Sequence, residues 1–275
     1  MATLLGQPVA DAILARVREG VAALARPPHL VVVAATDTAA SRAYVSRKAA
    51  AAETVGMRCT VDDVPARERT TDALAARVAA WSVDPTVDAL IVQLPLARDI
   101  DAHMVLEAVD SAKDVDGLTA ENLAAAYLGT SGHRAATAAA CVAILDYYSI
   151  SIAGKRATIV GRSRLVGLPL AGMLMRRDAT VTIAHTKTAD LGAACRDAEI
   201  LVVASGHPGT VTLDMVTPGA IVIDVGWARI GDRVVGDVAP DAATIVGAIT
   251  PVPGGVGPVT VAMLLANTFD AARAR

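Results

Sequence analysis

Aromatic residues are scarce in this chain: one Phe, two Trp and four Tyr among 275 residues. Any Tyr placed beside a charged residue therefore calls for a reason. Cysteines are few as well. Cys59, Cys141 and Cys195 lie far apart, without the close pairing of a metal site or the even count of a disulfide framework. Buried thiols in a reducing, cytoplasmic setting are expected, and no bound metal. Hydrophobic residues make up 53% of the chain. They are mostly Ala and Val in short runs, none approaching the roughly 20 residues of a membrane helix. The formal net charge is −3 and the basic residues are scattered, which argues against both a nucleic-acid surface and a nucleic-acid partner. The opening stretch "MATLLGQPVADAILARVREG" has no basic run leading into an apolar block. It reads as an amphipathic helix rather than a secretory leader.

What is present is an alternation. "HLVVVAAT" (29–36), "RCTVDDVP" (58–65) and "VDALIVQLPL" (87–96) read as strands, with helices in "SRAYVSRKAAAAETVG" and "TDALAARVAAWS" between them. A helix across 133–150 carries the chain onward. The pattern then restarts, with strands in "KRATIVGRS", "ATVTIAH", "EILVVASG" and "AIVIDVGW" and helices in "VGLPLAGMLMRR" and "DLGAACRDA". Such alternation predicts parallel sheets covered by helices. The expected fold class is α/β: two α/β domains with a cleft between them, the C-terminal one a Rossmann-like dinucleotide-binding domain. The expected division is 1–137 and 138–258, with a last helix over 259–275 packing back on the first domain.

"ATIVGRSRLVGLP" holds a strand, a turn over 161–167 and a helix start. A helix N-terminus offers free N–H groups and a positive dipole end to a phosphate, so Gly161, Arg162, Ser163 and Gly167 are candidate cofactor residues. The spacing is not G-x-G-x-x-G, so the turn alone is weak support. An NAD site usually carries an acid at the end of the next strand. Here "TVTIAHTKT" ends in His185, Thr186 and Lys187, with no acid before Asp190. That end, with Arg162 in the turn, suits a 2′-phosphate, so NADP is expected rather than NAD. The plainer reading makes Arg162 and Lys187 solvated surface charges. "VVASGHPG" leaves its strand at Ser205 and Gly206, small enough for close approach of a cofactor. Between positions 251 and 258 lie three Gly and three Pro, a stiff path that lets backbone approach a ligand.

Four polar features of the first half would be odd as scaffold alone. Tyr44 precedes Lys48 by four residues in "SRAYVSRK", so both share one helix face. Gln93 interrupts the apolar run "LIVQLPL", where a buried amide must find partners. "KDVDG" sets Asp116 before a Gly, and the stretch from His133 to Thr137 is the fourth. Taken singly, each has an ordinary alternative: core Tyr, solvated Lys, strand-end amide, turn-forming Asp.

In their order along the chain, "YVSRK", "VQLPL", "KDVDG", "VGRSRLVGLP", "ATVTIAHTKT", "VVASGHPG", "AIVIDVG" and "ITPVPGGVGPVT" resemble the bifunctional methylenetetrahydrofolate dehydrogenase/cyclohydrolase family. The resemblance implies two reactions on tetrahydrofolate derivatives in one-carbon metabolism. A hydride passes from methylenetetrahydrofolate to NADP, and water then opens the methenyl cation to 10-formyltetrahydrofolate. It implies Lys48 as the principal catalytic group, Gln93 hydrogen-bonded to it, Tyr44 packed on the folate ring system and Asp116 on the pterin edge. Pro253, Gly254 and Gly255 join them at the substrate. Gly161, Arg162, Ser163, Gly167, Thr186, Ser205, Gly206 and Trp227 line the cofactor. A homodimer joined through the cofactor domain is implied too.

The chain departs from the family pattern in its loops. "AATDTAAS" stands for V-G-D-D-P-A-S, "AATA" (135–138) for P-C-T-P, Ala97 for a Pro and Trp227 for an aliphatic residue. Two alternatives follow: a folate- or NADP-binding protein without turnover, and a paralogue acting on a related folate. A Y-x-x-x-K pair also marks short-chain dehydrogenases, but there the glycine turn precedes the pair, and here it follows.

Overall fold

The structure, a computed structural model, describes residues 2–275. The chain divides into two compact units. One comprises Ala12–Ala125, Ser131–Ala136 and Leu264–Arg275; the other takes the chain up to Asp11, Ala126–Thr130 and Thr137–Met263. In chain order the elements begin with β1 (Ala2–Thr3), α1 (Gly6–Ala22), β2 (His29–Ala34), α2 (Ala39–Thr54), β3 (Arg58–Asp63), α3 (Thr71–Val83) and β4 (Ala89–Val92). Three helices follow: α4 (Ala102–Glu107), α5 (Ala120–Leu128) and α6 (Ala136–Tyr147). Then come β5 (Arg156–Val160), α7 (Gly167–Met175), β6 (Thr180–Ala184), α8 (Leu191–Arg196), β7 (Ile200–Val203) and β8 (Ile221–Asp224). The hairpin β9 (Ala228–Ile230) and β10 (Arg233–Val235), the short β11 (Ala248–Ile249) and α9 (Val256–Arg273) complete the chain.

The first unit holds a parallel three-stranded sheet in the order β3-β2-β4. Every residue of β2 is buried, as a central strand covered on both faces requires, which is why it reads as one apolar run. β3 lies at an edge, and none of its residues is buried. β4 is shorter than the apolar run 87–96 suggests. At its start Asp88 turns its carboxylate to the His29 N–H (2.9 Å) and to the Arg26 guanidinium (2.6 and 2.7 Å). At its end the chain leaves through a cis Leu94–Pro95 peptide.

The second unit is built on a six-stranded parallel sheet, β1-β11-β8-β7-β5-β6. The chain runs outward from β5 to β6, then returns to place β7 on the other side of β5. The crevice beyond the carboxyl ends of β5 and β7 is thus the topological switch point, where open α/β sheets take ligands. The buried residues Ile159, Leu170, Leu174, Ile200 and Leu201 fill its core.

The two ends of the chain correct the expected division. Ala2 and Thr3 pair with Ala248 and Ile249, so the first residues belong to the six-stranded unit and not to the range 1–137. A two-residue strand whose partner lies at the far end of the chain leaves no periodic trace. The last helix starts at Val256 rather than 259, and its residues from Leu264 onward group with the three-stranded unit.

Candidate active site

In the three-stranded unit, α2 begins where Thr38 accepts the Ser41 N–H at 3.2 Å. The Thr38 hydroxyl donates to Ser41 Oγ at 2.8 Å and lies 3.3 Å from Thr36 Oγ1. Hydroxyl groups thus cap the helix in a loop that has neither the Gly nor the Pro of the family pattern. From that cap, Ser41, Tyr44 and Lys48 recur on one face. Ser41 and Lys48 are buried and Tyr44 is half-buried. Lys48 is 8% exposed, which removes the solvated-surface alternative. Its Nζ donates to Gln93 Oε1 at 3.2 Å, and Gln93 Nε2 donates to the Leu94 carbonyl at 2.6 Å. With its N–H₂ committed to backbone, the Gln93 amide can present only its oxygen to the lysine. Burial pushes the Tyr44 hydroxyl up, against the charge of Arg47, whose guanidinium lies 5.6 Å from the ring centre.

Asp116 keeps a partly accessible surface although protein packs densely about its carboxyl. Burial raises its pKa, with the Lys48 charge opposing and Asp114 adding to the rise. The loop that carries it is fixed by neighbours. Asp114 accepts from the Thr119 N–H (2.7 Å) and from Asn122 Nδ2 (3.0 Å), while Asn122 Oδ1 accepts from the His133 N–H (3.0 Å). Gly117 has φ 70°, and a Cβ there would meet the Ala135 nitrogen at 2.5 Å. Asn267 on α9 donates to the carbonyls of Val115 (2.8 Å) and Arg134 (2.9 Å).

The "KDVDG" stretch therefore divides its labour. Asp116 is left partly accessible, Asp114 builds the loop, and buried Lys113 donates to the Asp84 carbonyl at 2.7 Å. His133 is likewise structural, its Nε2 lying 3.0 Å from the Ala112 carbonyl. Sequence reasoning missed Asn122 and Asn267. The available signal was a polar side chain on the buried side of a helix.

The other candidates lie in the six-stranded unit. Gly161 has φ 126°, and a Cβ there would sit 2.3 Å from the Ala204 carbonyl oxygen. A Cβ on Gly167 would sit 2.0 Å from the Gly161 oxygen. The turn is thus drawn tight across the carboxyl ends of β5 and β7, and both positions need glycine. Ser163 Oγ accepts the Val166 N–H at 3.2 Å, and Arg162 is exposed beside it. Bare backbone at the start of α7, a cation in the turn and no acid at the end of β6 fit a dinucleotide phosphate. At that end His185 Nδ1 accepts the Lys187 N–H at 3.1 Å. Thr186 is exposed and Trp227 is 40% exposed. Ser205 and Gly206 are bound to a buried acid, Asp237, at 2.7–2.9 Å. Asp224, beside it, accepts from the N–H groups of Gly226, Asp237 and Val238 at 2.9–3.0 Å. Burial pushes the Asp224 carboxyl up to about 6 against these three bonds, with the Asp237 charge adding to the rise.

Pro253, Gly254 and Gly255 fall in the six-stranded unit, apart in the chain's division from Tyr44, Lys48, Gln93 and Asp116. Gly254 accepts the Gly6 N–H at 2.8 Å, and a Cβ on Gly6 would overlap the Gly255 carbonyl. Among the described residues, no three His, Cys, Asp or Glu side chains gather as a metal site would require, and no helix is long and apolar enough to cross a membrane.

Residues 4–116 match the model of the tetrahydrofolate dehydrogenase/cyclohydrolase catalytic domain, and 135–275 match that family's NAD(P)-binding domain. The chain belongs to the tetrahydrofolate dehydrogenase/cyclohydrolase family. A bifunctional protein FolD of Lacticaseibacillus paracasei is 46% identical over 282 residues, covering all of this chain and 99% of the relative. A FolD protein of Thermus thermophilus is 44% identical over 272 residues, 99% of this chain and 96% of the relative. The crystal structure of the Campylobacter jejuni bifunctional FolD superposes with a TM-score of 0.96 at 37% identity, covering 100% of this chain and 99% of that one. A Trypanosoma brucei FolD structure, complexed with NADP cofactor and inhibitor, gives 0.94 at 35% identity, with 100% and 98% coverage. Within this family the six-stranded unit corresponds to the NAD(P)-binding domain, so the glycine turn and the Ser205–Gly206 segment lie in the domain that carries the cofactor.

Proposed function

We propose that this chain oxidises 5,10-methylenetetrahydrofolate with NADP and hydrolyses the resulting 5,10-methenyl cation to 10-formyltetrahydrofolate. The observation that carries the reading is the buried Lys48 held on Gln93 Oε1 at 3.2 Å. An ammonium has three N–H donors, and one is committed to Gln93. The remainder can hand protons to and from a ligand in a poorly hydrated site. Tyr44, one turn away, offers its flat ring to the folate. Asp116 offers an acceptor-only carboxylate to the N–H edge of a pterin.

Gly161, Ser163 and Gly167 would hold the cofactor's phosphates, and Arg162 with Thr186 its 2′-phosphate. Ser205, Gly206 and Trp227 would face the rest of the dinucleotide. Bound NADP supplies the hydride acceptor. In the hydrolytic step water adds to the methenyl carbon and loses one proton; the resulting hydroxyl loses its own as the C=O forms, the bond from that carbon to N5 breaks, and N5 gains a proton, so one proton is released net. Lys48 is the group placed to move these protons. The chain is further taken to work as a cytoplasmic homodimer, as the family resemblance implies.

Purified protein with methylenetetrahydrofolate and either NADP or NAD tests this by the absorbance of the methenyl product and its decay. Formation with NADP, followed by decay faster than in buffer alone, is the expected result. Formation without faster decay leaves a dehydrogenase only. No formation with either cofactor favours a binding protein or an enzyme of another folate.

A further inference from the structure

The segment that leaves β7 closes on itself through polar side chains, with Ser205 Oγ 2.8 Å from Thr210 Oγ1 and the Thr210 hydroxyl donating to the His207 carbonyl at 2.7 Å. Gly206 and Gly209 both have φ 71°, and neither has any atom within 4 Å of where a Cβ would stand. Yet three donors of this segment converge on one atom. Asp237 Oδ2 accepts the Ser205 N–H (2.7 Å), the Ser205 hydroxyl (2.9 Å) and the Gly206 N–H (2.7 Å). Successive backbone N–H groups of this kind form an anion-binding concavity. Here the chain fills that concavity with its own carboxylate. The amide protons of Ser205 and Gly206 are therefore spent inward, and a ligand meets the other face of the turn.

The acid that does this is set in place at some expense. Asp237 is fully buried, and its Oδ1 has no hydrogen-bond partner. A second carboxyl, Asp224, accepts the Asp237 N–H at 3.0 Å. Two glycines make the room. A Cβ on Gly226 would stand 2.4 Å from Asp237 Oδ1, and one on Gly236 would stand 2.0 Å from Asp224 Oδ2. The Val211 N–H is bound to the Asp237 carbonyl at 3.2 Å, so the return of the same segment is tied to the same residue. An unpaired carboxylate oxygen in a core costs free energy, and in this unit that cost supports one small turn.

We propose that Asp237 is a positioning residue of the nucleotide site, fixing the Ser205–Gly206 turn through a single carboxylate oxygen so that its outer face can receive NADP. The inference rests on the reading of the six-stranded unit as the NADP site. Asp237 touches neither cofactor nor folate; it acts through the turn.

The test compares Asp237→Asn and Asp237→Ala with the wild-type full-length protein. NADP binding is followed by calorimetry, and hydrolysis of methenyltetrahydrofolate is measured with no nucleotide present. Losing hydrogen bonds to a charged acceptor is expected to weaken NADP binding about tenfold or more in the Ala variant. The Asn variant keeps an acceptor oxygen without its charge, and a loss of roughly fivefold is expected. Hydrolysis should stay within about twofold of wild type in both, because it needs no nucleotide. Hydrogen exchange at Ser205 and Gly206 should accelerate in the same variants. NADP affinity within about twofold of wild type in the Asn variant would overturn the proposal, and that variant decides the matter if the Ala form does not fold. Parallel loss of NADP binding and hydrolysis would also overturn it, since a defect of the fold alone lowers both. A wild-type protein that turns over the folate but does not bind NADP would instead remove the nucleotide reading on which the inference stands.

Discussion

Asp116 and Asp237 are both carboxyls set deep among protein atoms, one in each unit, and their surroundings are opposite. Among the described residues none donates a hydrogen bond to the Asp116 carboxyl, which keeps a partly accessible surface and has the Lys48 charge nearby. Asp237 is fully buried and spends one oxygen on three donors of its own chain. The first has acceptor capacity within reach of something that arrives; the second holds shape with one oxygen and leaves the other buried and unpartnered. The same contrast runs through their neighbours. Lys48 has one hydrogen bond to Gln93 for three N–H groups, whereas Asp224 accepts three backbone N–H groups. Unspent capacity at a partly accessible group such as Asp116 leaves room for a ligand, whereas the bonded oxygens of Asp224 and Asp237 hold backbone in place.

The sharpest way to break that contrast is to remove the unspent donor. Lys48→Met should reduce hydrolysis of methenyltetrahydrofolate to the buffer rate while leaving the thermal midpoint near that of wild type. Hydrolysis at the normal rate would take Lys48 out of the mechanism. Next in size is Asp116→Asn, which exchanges half of a pure acceptor for a donor. A hydrogen bond to a charged group is worth about 1.5–3 kcal/mol, so KM for methylenetetrahydrofolate should rise by roughly 10- to 100-fold. An unaltered KM would place the pterin elsewhere. In the six-stranded unit, Arg162→Ala should weaken NADP by about 1–3 kcal/mol and leave NAD nearly untouched. If the two affinities keep their ratio, the 2′-phosphate is not held by Arg162.

The smallest expected effect is a slope. The folded-state pKa of Asp224 lies near 6, above its ordinary 3.8. Its contribution to stability is therefore fully present below about 3.8 and is lost as pH rises through 6. Relative to Asp224→Asn, wild type should lose stability towards urea between about pH 4 and pH 6 and run parallel to the variant above that. A constant difference across the range would show that the carboxyl is not raised.

Much of this was readable from residue order. Leu30–Ala34 of β2 and all of β7 are continuous apolar runs, so the centres of the sheets announce themselves. Gln93 stood out because an amide inside "LIVQLPL" needs a partner, and the structure supplies Lys48. Lys48, Tyr44 and Asp116 are singled out by spacing and by resemblance together. Other elements carry no such trace. β1 and β11 are two residues each, and α4 is six. The hairpin β9–β10 turns at Gly231, φ 59°, inside a stretch that reads as surface loop. Asp237 follows a Gly, where an Asp ordinarily reads as a turn former. Its role depends on donors from Ser205 and Gly206, more than 30 positions earlier in the chain, and no local pattern records a partner so distant.

The pairing of Ala2 and Thr3 with Ala248 and Ile249 bears on how the molecule is made. On a ribosome the residues of β2, β3 and β4 emerge early, but the helix segment Leu264–Arg275 that belongs to their unit emerges only after the whole of the other unit. The six-stranded sheet also waits, because β11 must slot between β8 and β1. Each unit thus has a component that is translated late, and a chain halted halfway would display the apolar faces of both. The three strands of the first sheet can pair once β4 is made, but the six-stranded sheet cannot close before β11, and the first unit gains its last helix segment only after that.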